Sequence, residues 1–164
     1  MHSILFVCHG NICRSPMAQS FMQYLVESSF LSDKYTIDSG ATSTEEIGSL
    51  PHRGTVKILA EHGISLVEHR ARQISKNESS RWDLIIGMDD ENIKNICKII
   101  GKENSFKVHK MLEWKASENS LVKGGQVPDV QDPWYTGNFN STWDDISQGC
   151  ISLFKALEEK DRLS

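Results

Sequence analysis

A chain of 164 residues with 38% apolar and 24% charged side chains has the composition of a globular protein and is long enough for one continuous core, so one domain over residues 1–164 is expected and disorder is not. The formal net charge of −4 speaks against a nucleic-acid groove binder, and no run approaches the ~18 apolar residues of a membrane span. The N-terminus lacks the basic start and long apolar segment of a signal peptide, which makes the cytoplasm the expected location.

Ser3 to Val7 is a short apolar run suited to a buried parallel strand. Beyond it, Val7 to Ala18 reads V-C-H-G-N-I-C-R-S-P-M-A; there Ser15 can cap a helix with Pro16 at its first position, where a missing N–H costs nothing. Met17, Ala18, Phe21, Met22, Leu25 and Val26 form that helix's apolar stripe. Tyr35 to Ser39 reads as a second strand ending at Gly40. His52 to His62 reads as a helix that turns Val56, Leu59 and Ala60 inward and stops at Gly63. Trp82 to Met88 reads as a buried strand, Asp89 opens a helix running to about Gly101, and Phe106 to Leu112 supplies a fourth strand. Glu113 to Tyr135 holds two glycines, two prolines and no clean period, and reads as a long surface loop; loops of that length are commonly functional. A helix from about Asn140 to Lys160 closes the chain. Strands alternating with helices imply an α/β fold with a right-handed parallel sheet and ligands at the carboxyl ends of its strands.

The four cysteines do not resemble a secreted disulfide framework in a chain this long. Cys97 falls on the stripe Ile93, Ile96, Cys97, Ile100, and Cys150 on Trp143, Ile146, Cys150, Leu153, Phe154, Leu157, so both are expected as core residues. Cys8 and Cys13 lie instead in the loop between the first strand and the first helix. Backbone N–H groups of such a loop curl toward one point, and the helix N-terminus adds unpaired donors and positive potential. Gly10 allows a positive φ and Asn11 tolerates it, so the loop can wrap tightly. Arg14 adds a planar fork of donors suited to two oxygens of a tetrahedral anion. At the floor of this phosphate-shaped cradle stands Cys8. A free cysteine has a pKa near ~8.5, which a helix N-terminus and a nearby cation can lower by several units, making Cys8 a thiolate aimed at phosphorus. Cys-x5-Arg alone is a weak signal; Cys-x5-Arg-Ser between a strand and a proline-started helix is a strong one.

The segment C-H-G-N-I-C-R-S-P-M-A resembles the signature of the low-molecular-weight protein tyrosine phosphatases. The resemblance continues through Asp38-Ser39-Gly40-Ala41-Thr42-Ser43, His69-Arg70-Ala71-Arg72-Gln73-Ile74, Met88-Asp89-Asp90-Glu91-Asn92 and Asp132-Pro133-Trp134-Tyr135, in the family's order over nearly the whole chain. It implies a single-domain three-layer sandwich with a four-stranded parallel sheet in the order 2-1-3-4, flanked by helices, and the phosphate-binding loop after strand 1. It also implies hydrolysis of phosphotyrosine in protein substrates and of aryl phosphates, through a phosphocysteine on Cys8 and with inorganic phosphate as product. No metal, cofactor, nucleic acid or membrane is implied, and the expected state is a monomer or weak dimer. His9, Gly10, Asn11, Ile12, Cys13 and Arg14 would hold the phosphate. Asn11, Ser15, Ser39, His69 and Asp89 would brace the loop, although His69 taken alone also reads as a surface histidine.

An alkoxide or phenolate is a poor leaving group, so an acid must protonate it as the P–O bond breaks. The family's Asp-Pro acid matches Asp132, which the following proline holds extended and which later activates water; Asp129 is the competitor. Trp134 and Tyr135 read as one wall of an aromatic slot or as packing at the loop base. Glu45 stands where many family members carry an aromatic residue. With Glu46 it is either a solvated loop tip or an acidic wall that favours basic sequences around the phosphotyrosine. Cys13 reads as a disulfide trap for oxidised Cys8 or as plain packing. Two other activities use the same scaffold. A thiol-dependent arsenate reductase needs relay cysteines that Cys97 and Cys150 do not suit. A protein-arginine phosphatase carries threonine at the position of Ile12.

Overall fold

A computed structural model describes residues 1–118 and 126–164. The chain runs β1 (His2–Cys8), α1 (Arg14–Ser28), β2 (Tyr35–Ala41), α2 (Arg53–Glu61), α3 (Glu78–Arg81), β3 (Leu84–Gly87), α4 (Asp90–Ile100), β4 (Val108–Lys110), α5 (Glu113–Glu118), α6 (Pro133–Thr136) and α7 (Phe139–Leu163). The strands form one parallel sheet in the order β2-β1-β3-β4, as expected. Ile4 to Val7 of the central strand are wholly buried, because both faces of a parallel sheet are covered.

The period of two along β1 divides the core. Ile4, Phe6 and Cys8 join Met17 and Met22 of α1, Leu59 of α2, and Ile146 and Leu153 of α7. Leu5 and Val7 join Ile85, Trp82, and Ile96 and Ile100 of α4 on the other face. The result is a three-layer sandwich. The chain leaves β1 toward β2 on one side and returns to β3 on the other, so the crevice at the carboxyl end of β1 is the switch point where such sheets take ligands. Among the described residues, no helix is long and apolar enough to cross a membrane.

Several expected boundaries move. Helix α1 starts at Arg14 after Cys13, which makes no side-chain cap; Ser15 lies inside the first turn, with its hydroxyl turned to Cys8. Pro16 is still in the first turn, where its missing N–H leaves no helical bond unmade. In α2 the inward face is Thr55, Ile58 and Leu59, while Val56 and Ala60 are exposed. A polar residue, Thr55, heads that face because its hydroxyl donates to the Cys13 carbonyl at 3.0 Å. Trp82 is buried but precedes the strand, its ring N–H donating to Glu78 Oε2 at 2.6 Å. Phe106 belongs to a 3₁₀ turn (Lys102–Lys107) and is 72% exposed, which shortens β4. The expected loop from Glu113 to Tyr135 contains α5 and α6, and its middle, 119–125, lies outside the described residues. Helix α7 starts earlier than expected because the Asn138 side chain accepts from the Ser141 N–H at 3.0 Å. Cys150 is fully buried, whereas Cys97 is only partly so.

Candidate active site

Cys8 is the last residue of β1, and the loop from His9 to Cys13 connects it to α1. This loop turns its carbonyls outward. Cys8 O accepts from Thr42 N (3.0 Å), His9 O from Ser43 N (3.1 Å) and Ile12 O from His52 N (2.7 Å). With these carbonyls taken up by neighbouring segments, the loop's N–H groups are left to serve as an anion-binding concavity, as that of Asn11 does toward Cys8 Sγ. The tight turn is made by Asn11, whose φ is 58°, and not by Gly10. Asn11 N–H donates to Cys8 Sγ at 3.3 Å, and Ser15 Oγ lies 3.1 Å from the same sulfur.

Asn11 can hold that backbone because its side chain is fully used. Its amide donates to Ser15 Oγ (2.8 Å) and Ser39 Oγ (3.0 Å), and its carbonyl accepts from His69 Nε2 (2.6 Å) and Arg72 N (3.2 Å). Ser39 in turn donates to Gln19 Oε1 at 2.6 Å. The expected bracing residues Asn11, Ser15, Ser39 and His69 are therefore one connected network beneath the loop. Gln19 was not expected in it. Its signal is a polar side chain one helical turn after Ser15, at a buried position (5% exposed).

Burial lowers the His69 pKa below its ordinary 6.5, and the nearby Arg72 charge adds to this against the pull of Asp38. The folded protein thus holds a neutral ring, and the unfolded chain takes up the extra proton first. This contribution to stability is fully present above pH 6.5 and is lost as pH falls through the lower folded value. His69→Gln keeps an N–H donor for Asn11 but does not titrate. Wild type should therefore lose stability relative to His69→Gln as pH falls below about 6.5, as read by urea unfolding across a pH series; a constant gap would contradict it.

Arg14 is 1% exposed, and its forked head has divided partners. One terminal nitrogen donates to Asp89 Oδ2 (2.7 Å) and to the Val130 carbonyl (2.9 Å); the other donates to Asp132 Oδ2 (3.2 Å). Its Nε–H is a buried donor with no protein partner among the described residues. Burial alone would lower its pKa, but Cys8, the Asp89 hydrogen bond and Asp132 outweigh burial and raise it, so the guanidinium stays charged. Val130 is itself pinned, its N–H donating to the Met88 carbonyl at 2.8 Å.

Asp132 has an extended backbone (φ −78°, ψ 113°), as a residue before proline should. Its Oδ1 accepts from Trp134 N–H at 3.1 Å and caps α6, which leaves Oδ2 on Arg14. Asp129 is held elsewhere, paired with Lys110 Nζ at 2.6 Å and accepting from Asp90 N–H at 3.1 Å. It does not line the cavity that holds Cys8.

That cavity, ≈ 90 Å³, is lined by Cys8, His9, Gly10, Ile12, Cys13, Arg14, Glu45, Glu46, Asp132, Trp134 and Tyr135. Glu45 and Glu46 thus both reach the mouth, and Glu45 Oε2 lies 3.0 Å from His9 Nε2 in an exposed contact. Trp134 and Tyr135 stand at the rim, 58% and 81% exposed. Asp89 stays outside the cavity lining, behind Arg14, with its Oδ1 capping α4 through Asn92 N–H at 2.7 Å. Burial first, then the Cys8 and Asp132 charges, push the Cys13 thiol up to about 12, so Cys13 is protonated at neutral pH. A sulfur on an anion cradle, a charged arginine and a carboxylate opposite can together carry a phosphoryl group to sulfur and a proton to its leaving group.

Comparison with known proteins bears on this arrangement. The family model described as low molecular weight phosphotyrosine protein phosphatase matches residues 3–163. The low molecular weight protein-tyrosine-phosphatase YfkJ of Bacillus subtilis is 37% identical over 163 residues, covering 99% of this chain and 100% of the relative. The crystal structure of YfkJ superposes with a TM-score of 0.88 at 38% identity, over 98% of this chain and 96% of that one. The low molecular weight phosphotyrosine protein phosphatase of Homo sapiens is 35% identical over 162 residues, 96% of this chain and 94% of the relative.

Proposed function

Because the chain belongs to the low molecular weight phosphotyrosine protein phosphatase family, we propose that it hydrolyses phosphotyrosine in proteins through a phosphocysteine on Cys8, with Asp132 as acid and then base. The observation that carries this reading is the meeting of Cys8, Arg14 and Asp132 in one cavity at the end of β1. In the first step the Cys8 sulfur bonds to phosphorus, the bond from phosphorus to the phenolic oxygen breaks, and the Asp132 proton goes to that oxygen. In the second, the Asp132 carboxylate takes a proton from water, whose oxygen bonds to phosphorus. The S–P bond breaks, releasing phosphate. The loop N–H groups and Arg14 stabilise charge on the equatorial oxygens throughout. Asp89 and Val130 hold Arg14 in place; Asn11, Ser15, Ser39 and His69 hold the loop. Both thiols of the loop must be reduced for this chemistry, which fits a cytoplasmic setting.

The choice of substrate rests on the rim. Ile12, Trp134 and Tyr135 present apolar surface to a phenyl ring, and each Å² removed from water stabilises the complex by roughly 25 cal/mol. Glu45 and Glu46 favour substrates with basic residues beside the phosphotyrosine. They are also the feature that would suit phosphoarginine. Ile12 weighs against that, since it gives a guanidinium no hydrogen-bond acceptor and unpaired donors are costly. Measured kcat/KM should favour phosphotyrosine over phosphoarginine peptides, with Ile12→Thr narrowing the gap. A wild-type preference for phosphoarginine would overturn the substrate assignment and leave the thiolate chemistry standing.

A further inference from the structure

An indole as exposed as that of Trp134 must be held by something if it is to meet a ligand as a ready surface, because ordering it at binding costs affinity. Its aromatic partner is His52, edge to face at 5.7 Å and 84°. His52 is itself fixed from three directions. Its Nδ1 accepts from Gly54 N–H at 2.9 Å, capping α2 and leaving the ring proton on Nε2. Its backbone N–H donates to the carbonyl of Ile12 in the phosphate loop at 2.7 Å. Its ring stacks on Phe139 at 5.1 Å and 19°. Phe139 packs on Ile12, Cys13 and Ala71 and lies so close over Gly54 that a Cβ there would sit 2.4 Å from the ring. Phosphate loop, α2 and α7 therefore converge on one imidazole, and that imidazole touches the cavity wall.

We propose that His52 is a positioning residue for substrate: it holds the Trp134 indole as a preformed wall for the phenyl ring of phosphotyrosine. This rests on the phosphatase reading above. Two substitutions separate its parts. His52→Asn keeps a cap acceptor and loses both ring contacts, whereas His52→Phe keeps the ring contacts and loses the acceptor. His52→Asn should raise KM for a phosphotyrosine peptide roughly three- to tenfold with kcat within about twofold, and His52→Phe should keep the wild-type KM. Inorganic phosphate, bound by the loop and Arg14 without Trp134, should inhibit all three proteins equally. In a Trp134→Ala background, His52→Asn should add no further penalty. Fluorine NMR of fluorotryptophan-labelled protein reads the order of the Trp134 ring without any substrate, its signal being assigned by loss in Trp134→Phe. That signal should broaden or move in His52→Asn and not in His52→Phe. The proposal is overturned by an unchanged KM or Trp134 signal in His52→Asn, by a KM penalty undiminished without Trp134, or by phosphate inhibition that weakens in step with KM. Failure of the wild type to turn over any aryl phosphate would instead remove the phosphatase reading, and the fluorine signal would still decide whether His52 holds Trp134.

Discussion

Cys8→Ser should lower turnover on the order of 10⁴-fold or more while leaving phosphate bound. Serine at this position can keep the contact with Ser15, so the loop should keep its shape. What it lacks is sulfur: a serine hydroxyl is a far weaker acid than a thiol and gives up its proton to phosphoryl attack far less readily, while burial holds the proton of Cys13 up to about 12. Cys13 therefore cannot substitute. The N–H groups and the buried Arg14 head are untouched, so inorganic phosphate titrated against Cys8→Ser should bind within a few-fold of wild type. Turnover remaining within about tenfold of wild type would show that the sulfur is not the nucleophile.

Asp132→Asn should cost about 10²–10⁴-fold on phenyl phosphates with poor leaving groups and much less when the leaving group is already acidic. The substitution is mild for the fold. Asparagine caps a helix as well as aspartate does, so the Trp134 N–H keeps its acceptor and α6 its start. Its amide loses only the ionic half of the contact to Arg14, whose other terminal nitrogen still has Asp89 and Val130. The loss should therefore fall on proton transfer, and it should steepen as the leaving group becomes more basic. An equal loss across leaving groups would assign the proton to another donor. Asp129 is poorly placed to be that donor, being paired with Lys110 and outside the cavity lining.

The two residues differ in how openly the sequence declares them. Cys8, Arg14 and Ser15 are neighbours along the chain, so a strand, a turn and a helix start suffice to build their geometry. Asp132 reaches Arg14 across 118 positions, and no spacing reveals that bond; chemistry demanded an acid, and the match to the family's Asp-Pro step placed it at Asp132. Buried strands in a parallel sheet follow from apolar runs of strand length, whereas the order 2-1-3-4 rests on the family resemblance. Boundaries blur where aromatic residues serve packing outside a ladder, as Trp82 does on Glu78, or lie on the surface, as Phe106 does. The inward face of α2 escaped an apolar pattern because Thr55 is buried for its hydrogen bond. Gln19, whose signal is only its place one turn after Ser15, and His52 were missed for a related reason. Each matters through a partner distant in sequence, Gln19 through Ser39 and His52 through Trp134, and neither carries a motif.

The phosphocysteine is the point on which the account stands, and Asp132→Asn offers a way to catch it. With p-nitrophenyl phosphate the acidic leaving group departs without help, so the first step should proceed, while the second lacks the base that activates water. Rapid mixing should release p-nitrophenol in a burst of one equivalent per enzyme. Acid quenching and peptide mass spectrometry should then find one phosphoryl group on the peptide containing Cys8. A burst with the phosphoryl group on another residue, or steady turnover with Cys8 unmodified at every quench time, would contradict it.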